Sequence, residues 1–244
     1  ESWNGTSWTE VGDLNQVKHS LGRAGTTGTA GLVMGGSTPP DTANTELWNG
    51  TAWTELGNLN TARETLTGNG TSTFAFATGG SINPGNSALN ENWNGTSWTE
   101  LADLGTARYN IQGSTFGGIS AVVFGGLTST ALANTEEWNA SVPIGAWATS
   151  ADMNNTNFGM GGDGAVTTAI ASGGANAPTA KTSKCETFNG TSWTEVGDLN
   201  TARNNLMSAG ANNTAALAMG GSAPPTTAAT ESWNGSNWTE VNDL

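Results

Sequence analysis

One octapeptide, Trp-Asn-Gly-Thr-Ser-Trp-Thr-Glu at residues 3–10, is written six times along this chain with small changes. The copies begin at Trp3, Trp48, Trp93, Trp138, Phe188 and Trp233, at intervals of 45, 45, 45, 50 and 45 residues. A fixed period of this size means one supersecondary unit copied along the chain, stable only when its copies stack.

Residues 60–104 show what the unit is. Glu64 to Gly68 reads as a short strand, Asn69-Gly70-Thr71 as a turn, and Thr73 to Thr78 as a strand buried on both faces and closed by Gly79-Gly80. After a loop from Ser81 to Asn90, Glu91-Asn92-Trp93 and Trp98 to Leu101 flank an Asn-Gly turn. That is a strong hairpin signal, because both turn residues tolerate positive φ. Four antiparallel strands per repeat and no helical period predict an all-β chain. Such sheets cover one another when arranged radially, as a β-propeller. A parallel β-helix is the rival, but its repeats are usually shorter and need no tight hairpins.

Three motifs resemble the kelch repeat. They are the double glycine after the second strand (Gly35-Gly36, Gly79-Gly80, Gly125-Gly126, Gly173-Gly174, Gly220-Gly221), the Glu-x-aromatic of the third, and the Trp of the fourth (Trp8, Trp53, Trp98, Trp147, Trp193, Trp238). The resemblance covers the whole chain and implies a propeller, without choosing between enzymes and binding modules. The near-identical wording of the repeats also resembles kelch-like arrays in marine phage structural proteins.

First-and-second strand pairs occur five times, near 15–36, 60–80, 105–126, 151–174 and 200–221, whereas third-and-fourth pairs occur six times, because 1–14 nearly repeats 231–244. The count predicts a single domain over 1–244: a five-bladed kelch-like propeller with repeats near 15–59, 60–104, 105–150, 151–199 and 200–244, and one surplus β-hairpin. Either 1–14 is left over, or it pairs with 200–221 to close the ring and displaces 231–244. Ring closures that tie the termini together favour the second. A spare hairpin also invites exchange between molecules, giving a homo-oligomer. The chain starts and stops inside the repeat, as a piece of a longer protein would.

A net charge of −13 argues against nucleic acid as a partner, and no apolar run approaches a membrane span. One basic residue recurs at the start of the first strand (Lys18, Arg63, Arg108, Arg203), and is lost around Asn155 or Thr156. One Glu recurs on the third strand (Glu1, Glu46, Glu91, Glu136, Glu186, Glu231). The two sets suggest one structural ion pair per blade. A guanidinium ring gripping an anion in the central channel is the rival. The Trp pairs read as blade-to-blade packing, against exposed platforms for sugar rings.

Catalysis finds little footing. His19 is the only histidine, Tyr109 the only tyrosine and Cys185 the only cysteine. Galactose oxidase, a kelch-like copper enzyme, needs two His and a Tyr cross-linked to Cys, so that activity is rejected. No cofactor or metal is expected. The second-to-third-strand loops vary most between repeats, and variable loops on a rigid scaffold are the usual place for binding. The candidate residues there are Pro39, Pro40, Asp41, Asn83, Asn86, Thr128, Lys181, Lys184, Pro224 and Pro225. The expectation is a non-catalytic structural or interaction module, extracellular or in a virion: an adhesive or receptor-binding part whose partner is a protein or glycan. A carbohydrate-binding propeller is the alternative.

Overall fold

The computed structural model describes all residues except 115–119, 140–144, 178–179 and 224–225. Five four-stranded antiparallel sheets stand as blades in a ring, a five-bladed β-propeller, with no helix among the described residues. Blade 1 holds Gly22–Thr27, Ala30–Met34, Thr45–Trp48 and Trp53–Glu55. Blade 2 holds Thr67–Gly70, Ala75–Thr78, Asn90–Trp93 and Trp98–Glu100. Blade 3 holds Gln112–Gly113, Ser120–Phe124, Thr135–Asn139 and Ala146–Thr149. Blade 4 holds Gly161–Asp163, Ile170–Ser172, Cys185–Phe188 and Trp193–Val196. Blade 5 holds Met207–Asn212, Ala215–Met219, Thr230–Trp233 and Trp238–Val241.

The blades stack because each second strand is apolar on both faces. Leu32 and Met34 of blade 1 meet Leu66, Ala75 and Ala77 of blade 2, with Trp93 and Trp98 outside them. Burying a Leu or Met side chain contributes about 1.5–3 kcal/mol. The strand ends at the double glycine because the next blade crosses there. Gly35 and Gly36 have φ of 63° and 102°, and a Cβ on Gly35 would come within 2.6 Å of the Arg63 carbonyl. The Trp pairs face each other in register, as Trp48 with Trp53 and Trp93 with Trp98, with ring centroids 5.4 and 5.3 Å apart.

The first strand differs from the sequence reading. In blade 2 it begins at Thr67 and runs through Asn69 and Gly70, where the sequence pattern predicts a turn. Residues Glu64–Leu66 lie outside it, and Thr65 has a φ of 54°. Asn69 is 1% exposed, its amide facing the Gly68 and Ser114 carbonyls. A polar residue facing its neighbours' backbone near the axis mimics a turn residue in sequence.

The favoured ring closure is also corrected. Residues 200–221 do not take up the first hairpin: Ala215–Met219 pairs with blade 5's own Thr230–Trp233, and Ser2–Trp3 pairs only with Trp8–Thr9. Residues 1–14 are the surplus piece, lying between blades 5 and 1. The Asn242 side chain donates to the Thr6 carbonyl at 2.7 Å, and Trp53 Nε1 donates to the Gly12 carbonyl at 3.1 Å.

Candidate functional site

Residues at the start of the first strand lie beside those at the end of the second, so one face of the ring gathers the blade connections and the second-to-third-strand loops. Backbone bonds staple them together: His19 with Ser37, Glu64 with Ser81, Tyr109 with Leu127, Phe158 with Ala175, and Asn204 with Ser222. Between blades 1 and 2 this face holds a groove of about 630 Å³. Pro39, Pro40 and Asp41 form one wall, Asn83 and Pro84 the other, and Glu64 lies between them. Asn86 is in the same short hairpin as Asn83, where Gly85–Asn86 pairs with Ser81–Ile82.

The other candidate residues are spread around the ring. Thr128 belongs to the blade 3 loop, where its amide donates to Thr130 O at 3.1 Å. Lys181 Nζ donates to Ser222 Oγ at 2.9 Å, tying blade 4 to blade 5. Lys184 is half-exposed and pairs with Glu195 and Asp198, which raises its pKa. Pro224 and Pro225 lie outside the described residues, as does most of the lengthened turn between Asn139 and Gly145.

The repeated basic and acidic residues are in contact and removed from water. Arg63 reaches Glu91 at 2.5 Å, Arg203 reaches Glu231 at 2.5 Å, Lys18 reaches Glu46 at 3.0 Å, and Arg108 bonds Glu136. The second carboxylate oxygen takes a backbone amide of the incoming connection, as from Asn15 to Glu46 and Asn60 to Glu91 at 2.7 Å each. Among the described residues Glu186 has no basic partner, and it accepts instead from the backbone and side-chain nitrogens of Asn154 and Asn155 at 2.8–3.0 Å. Burial acts to raise the Glu46 carboxyl, but the Asn15 amide and the Lys18 charge outweigh it and hold its pKa below the ordinary value. Burial pulls the Arg63 guanidinium down, with Glu91 opposing. These guanidinium groups are side-chain buried and engaged by carboxylates, which does not fit a cationic ring open to an anion.

Two inner-strand residues, Arg23 and Asp163, had no signal in the repeat. Arg23 leaves the first strand of blade 1 and bonds the Ser208 carbonyl of blade 5. Its pKa is lowered by burial, while Asp163 of blade 4 opposes the shift. Arg23 stands where the next three blades carry Gly68, Gly113 and Gly162, and only register against the second strand reveals the equivalence.

The remaining chemistry is quiet. His19 is exposed, and its Nδ1 faces Ser20 Oγ at 3.0 Å. The Cys185 thiol is buried and pushed up to about 12 by that burial. Among the described residues no group of three or more His, Cys, Asp and Glu could hold a metal ion.

No protein-family model and no curated protein matches this sequence. Among solved structures, the one described as "Structure of YjhT" is similar, with a TM-score of 0.74 and 12% identity over 92% of this chain and 84% of that one. At that identity the likeness shows the fold alone: this chain folds as a β-propeller.

Proposed function

We propose that this propeller is a non-catalytic interaction module whose recognition surface is the loop face, centred on the groove between blades 1 and 2. The observation that carries this reading is the groove itself, which brings Pro39, Pro40, Asp41 and Asn83 together from two variable loops. Its charged lining, Asp41 and Glu64, is acidic. Four of the chain's seven basic residues, Lys18, Arg63, Arg108 and Arg203, are used up inside ion pairs, so the surface is dominated by carboxylates. A protein segment carrying basic and amide side chains suits such a groove.

Sugar binding has less support. Five of the repeated Trp rings that would stack on a sugar are tied into the blades by their indole nitrogens. Trp48, Trp93 and Trp233 donate to carbonyls of the first-to-second turns, and Trp98 and Trp193 to Thr45 and Thr135 of the preceding blade. The regular repeat and the acidic surface fit the kelch-like resemblance and an adhesive or receptor-binding role on a phage particle or an extracellular protein.

The test is a parallel screen of the intact protein against a displayed random-peptide library and a glycan array. Basic peptides should be selected, and Asp41→Ala with Asn83→Ala should weaken them at least tenfold. Selection of glycans alone, or peptide binding indifferent to both substitutions, would overturn the reading.

A further inference from the structure

The seam between blades 5 and 1 is built differently from the other four. At those four the second glycine donates its amide to a carbonyl of the next blade: Gly36 to Arg63, Gly80 to Arg108, Gly126 to Asn157 and Gly174 to Arg203, at 2.8–3.0 Å. Among the described residues Gly221 makes no such bond to blade 1. A chain of bonds also runs around the axis, from Thr65 to Ser20, Asn110 to Thr65, Gly159 to Asn110 and Asn205 to Gly159, and stops short of joining Ser20 to Asn205. Among the described residues, the exposed large hydrophobics Val17, Met207 and Leu244 lie here, at 93%, 46% and 46% exposure. Leu217 of blade 5 is only half-buried, although its counterparts Leu32, Phe76, Val122 and Ile170 are at most 2% exposed.

The hairpin 1–14 explains the irregularity. Asn242 bonds Thr6, just as the matching Gly197 lies against the Ser236 carbonyl and Gly57 against the Thr96 carbonyl of the next blade's turn. Gly12 stands in the same way against the Thr51 carbonyl of blade 1. The hairpin therefore occupies the outer half of a sixth blade position. Its inner half holds a cavity of about 470 Å³ between Arg23–Gly28 of blade 1 and Ser208–Ala211 of blade 5. This joins a second space of about 830 Å³ bounded by Trp3, Trp8, Trp53, Leu217 and Met219. Trp8 Nε1 and Thr230 Oγ1 at this seam are buried and unbonded, as Trp147 Nε1 and Trp238 Nε1 are elsewhere in the ring, whereas Trp98 bonds Thr45 and Trp193 bonds Thr135. Glu1, in register with Glu46 and Glu91, makes no ion pair among the described residues.

We propose that this seam is a docking slot for one β-hairpin of the repeat's own first-and-second-strand type, supplied from outside residues 1–244, which completes a sixth blade. Residues 200–221 exemplify the occupant. Its second strand would pair with the open edge of Ser2–Trp3, as Ala216↔Trp233 does in blade 5. Its Leu and Ala side chains would cover Leu217 and Met219, as Leu66, Ala75 and Ala77 cover Leu32 and Met34. Its Arg would meet Glu1. The Arg23 side chain, now crossing the slot to Ser208, would swing into the channel.

The probe is a synthetic peptide of residues 200–221 added to the full chain. Saturable one-to-one binding is expected, with a rise in Tm of about 5 °C or more and slower hydrogen exchange at Ser2–Trp3 and Met207–Met219. A peptide of residues 231–244 should not bind, because the outer half is filled. Arg23→Gly should tighten binding several-fold by clearing the slot. Because such a peptide can self-associate, a second arm appends the same segment after Leu244, in phase with the repeat. Failure of both arms to raise Tm and protect Met207 would overturn the proposal. So would equal binding of the 231–244 peptide, or stabilisation that comes only from pairing of two whole chains.

Discussion

At the scale of single residues, the buried ion pairs govern stability more by the cost of breaking them than by the gain of making them. Removing one partner strands a charge where water cannot reach, a penalty of about 3–5 kcal/mol. Arg63→Met should therefore lower the unfolding free energy by about that amount, and adding Glu91→Gln should recover most of it, both read by urea denaturation. Acid should act through Glu46. Its folded pKa lies below the ordinary value of 4.5, so its contribution is complete above that value and is lost as pH falls through the folded one. The urea midpoint of the native protein should fall more steeply than that of Glu46→Gln on acidification below pH ~4.5. The period of the repeat named both partners of each pair from sequence. Nothing in it named Arg23, because a residue that departs from the repeat carries no periodic signal.

At the scale of the strand, the third and fourth were legible because an Asn-Gly turn fixes them locally. Asn94 Oδ1 accepts the Thr96 and Ser97 amides at 2.9 Å each, and Gly95 takes a φ of 91°; the turns at Asn4, Asn49, Asn189 and Asn234 match it. The first strand carries no such local mark, because it is defined by neighbours far along the chain. Gly68 shows the constraint: a Cβ there would lie within 2.7 Å of the Arg23 backbone nitrogen and carbonyl carbon. Its φ is unremarkable, so the need for glycine comes from the approach of blade 1. Gly68→Ala should destabilise the protein by about 3 kcal/mol, as overpacking against a backbone that cannot move aside. A thermal melt with little loss would show that the inner strands have room to part.

At the scale of the whole molecule, ring stability is uneven. Four seams carry the full set of glycine and axial bonds, and the fifth does not. Local opening should begin at that fifth seam. Hydrogen exchange is expected to be at least tenfold faster at the Gly221 and Ser20 amides than at Gly36, Gly80, Gly126 and Gly174. Equal protection at all five seams would mean that the ring closes as tightly at blade 1 as elsewhere.

The sequence by itself determined the unit, its repetition five times over and the surplus of one hairpin, because these depend on contacts within a period or between identical copies. It also marked the loops that vary. Only the tertiary structure decided where the surplus hairpin goes, since residues 1–14 and 231–244 are nearly interchangeable in sequence and compete for the same strand edge. Blade 5 kept its own outer strands, the pair nearest along the chain, for which loop closure is cheapest. The same choice left the half-filled position beside blade 1, which no local pattern encodes.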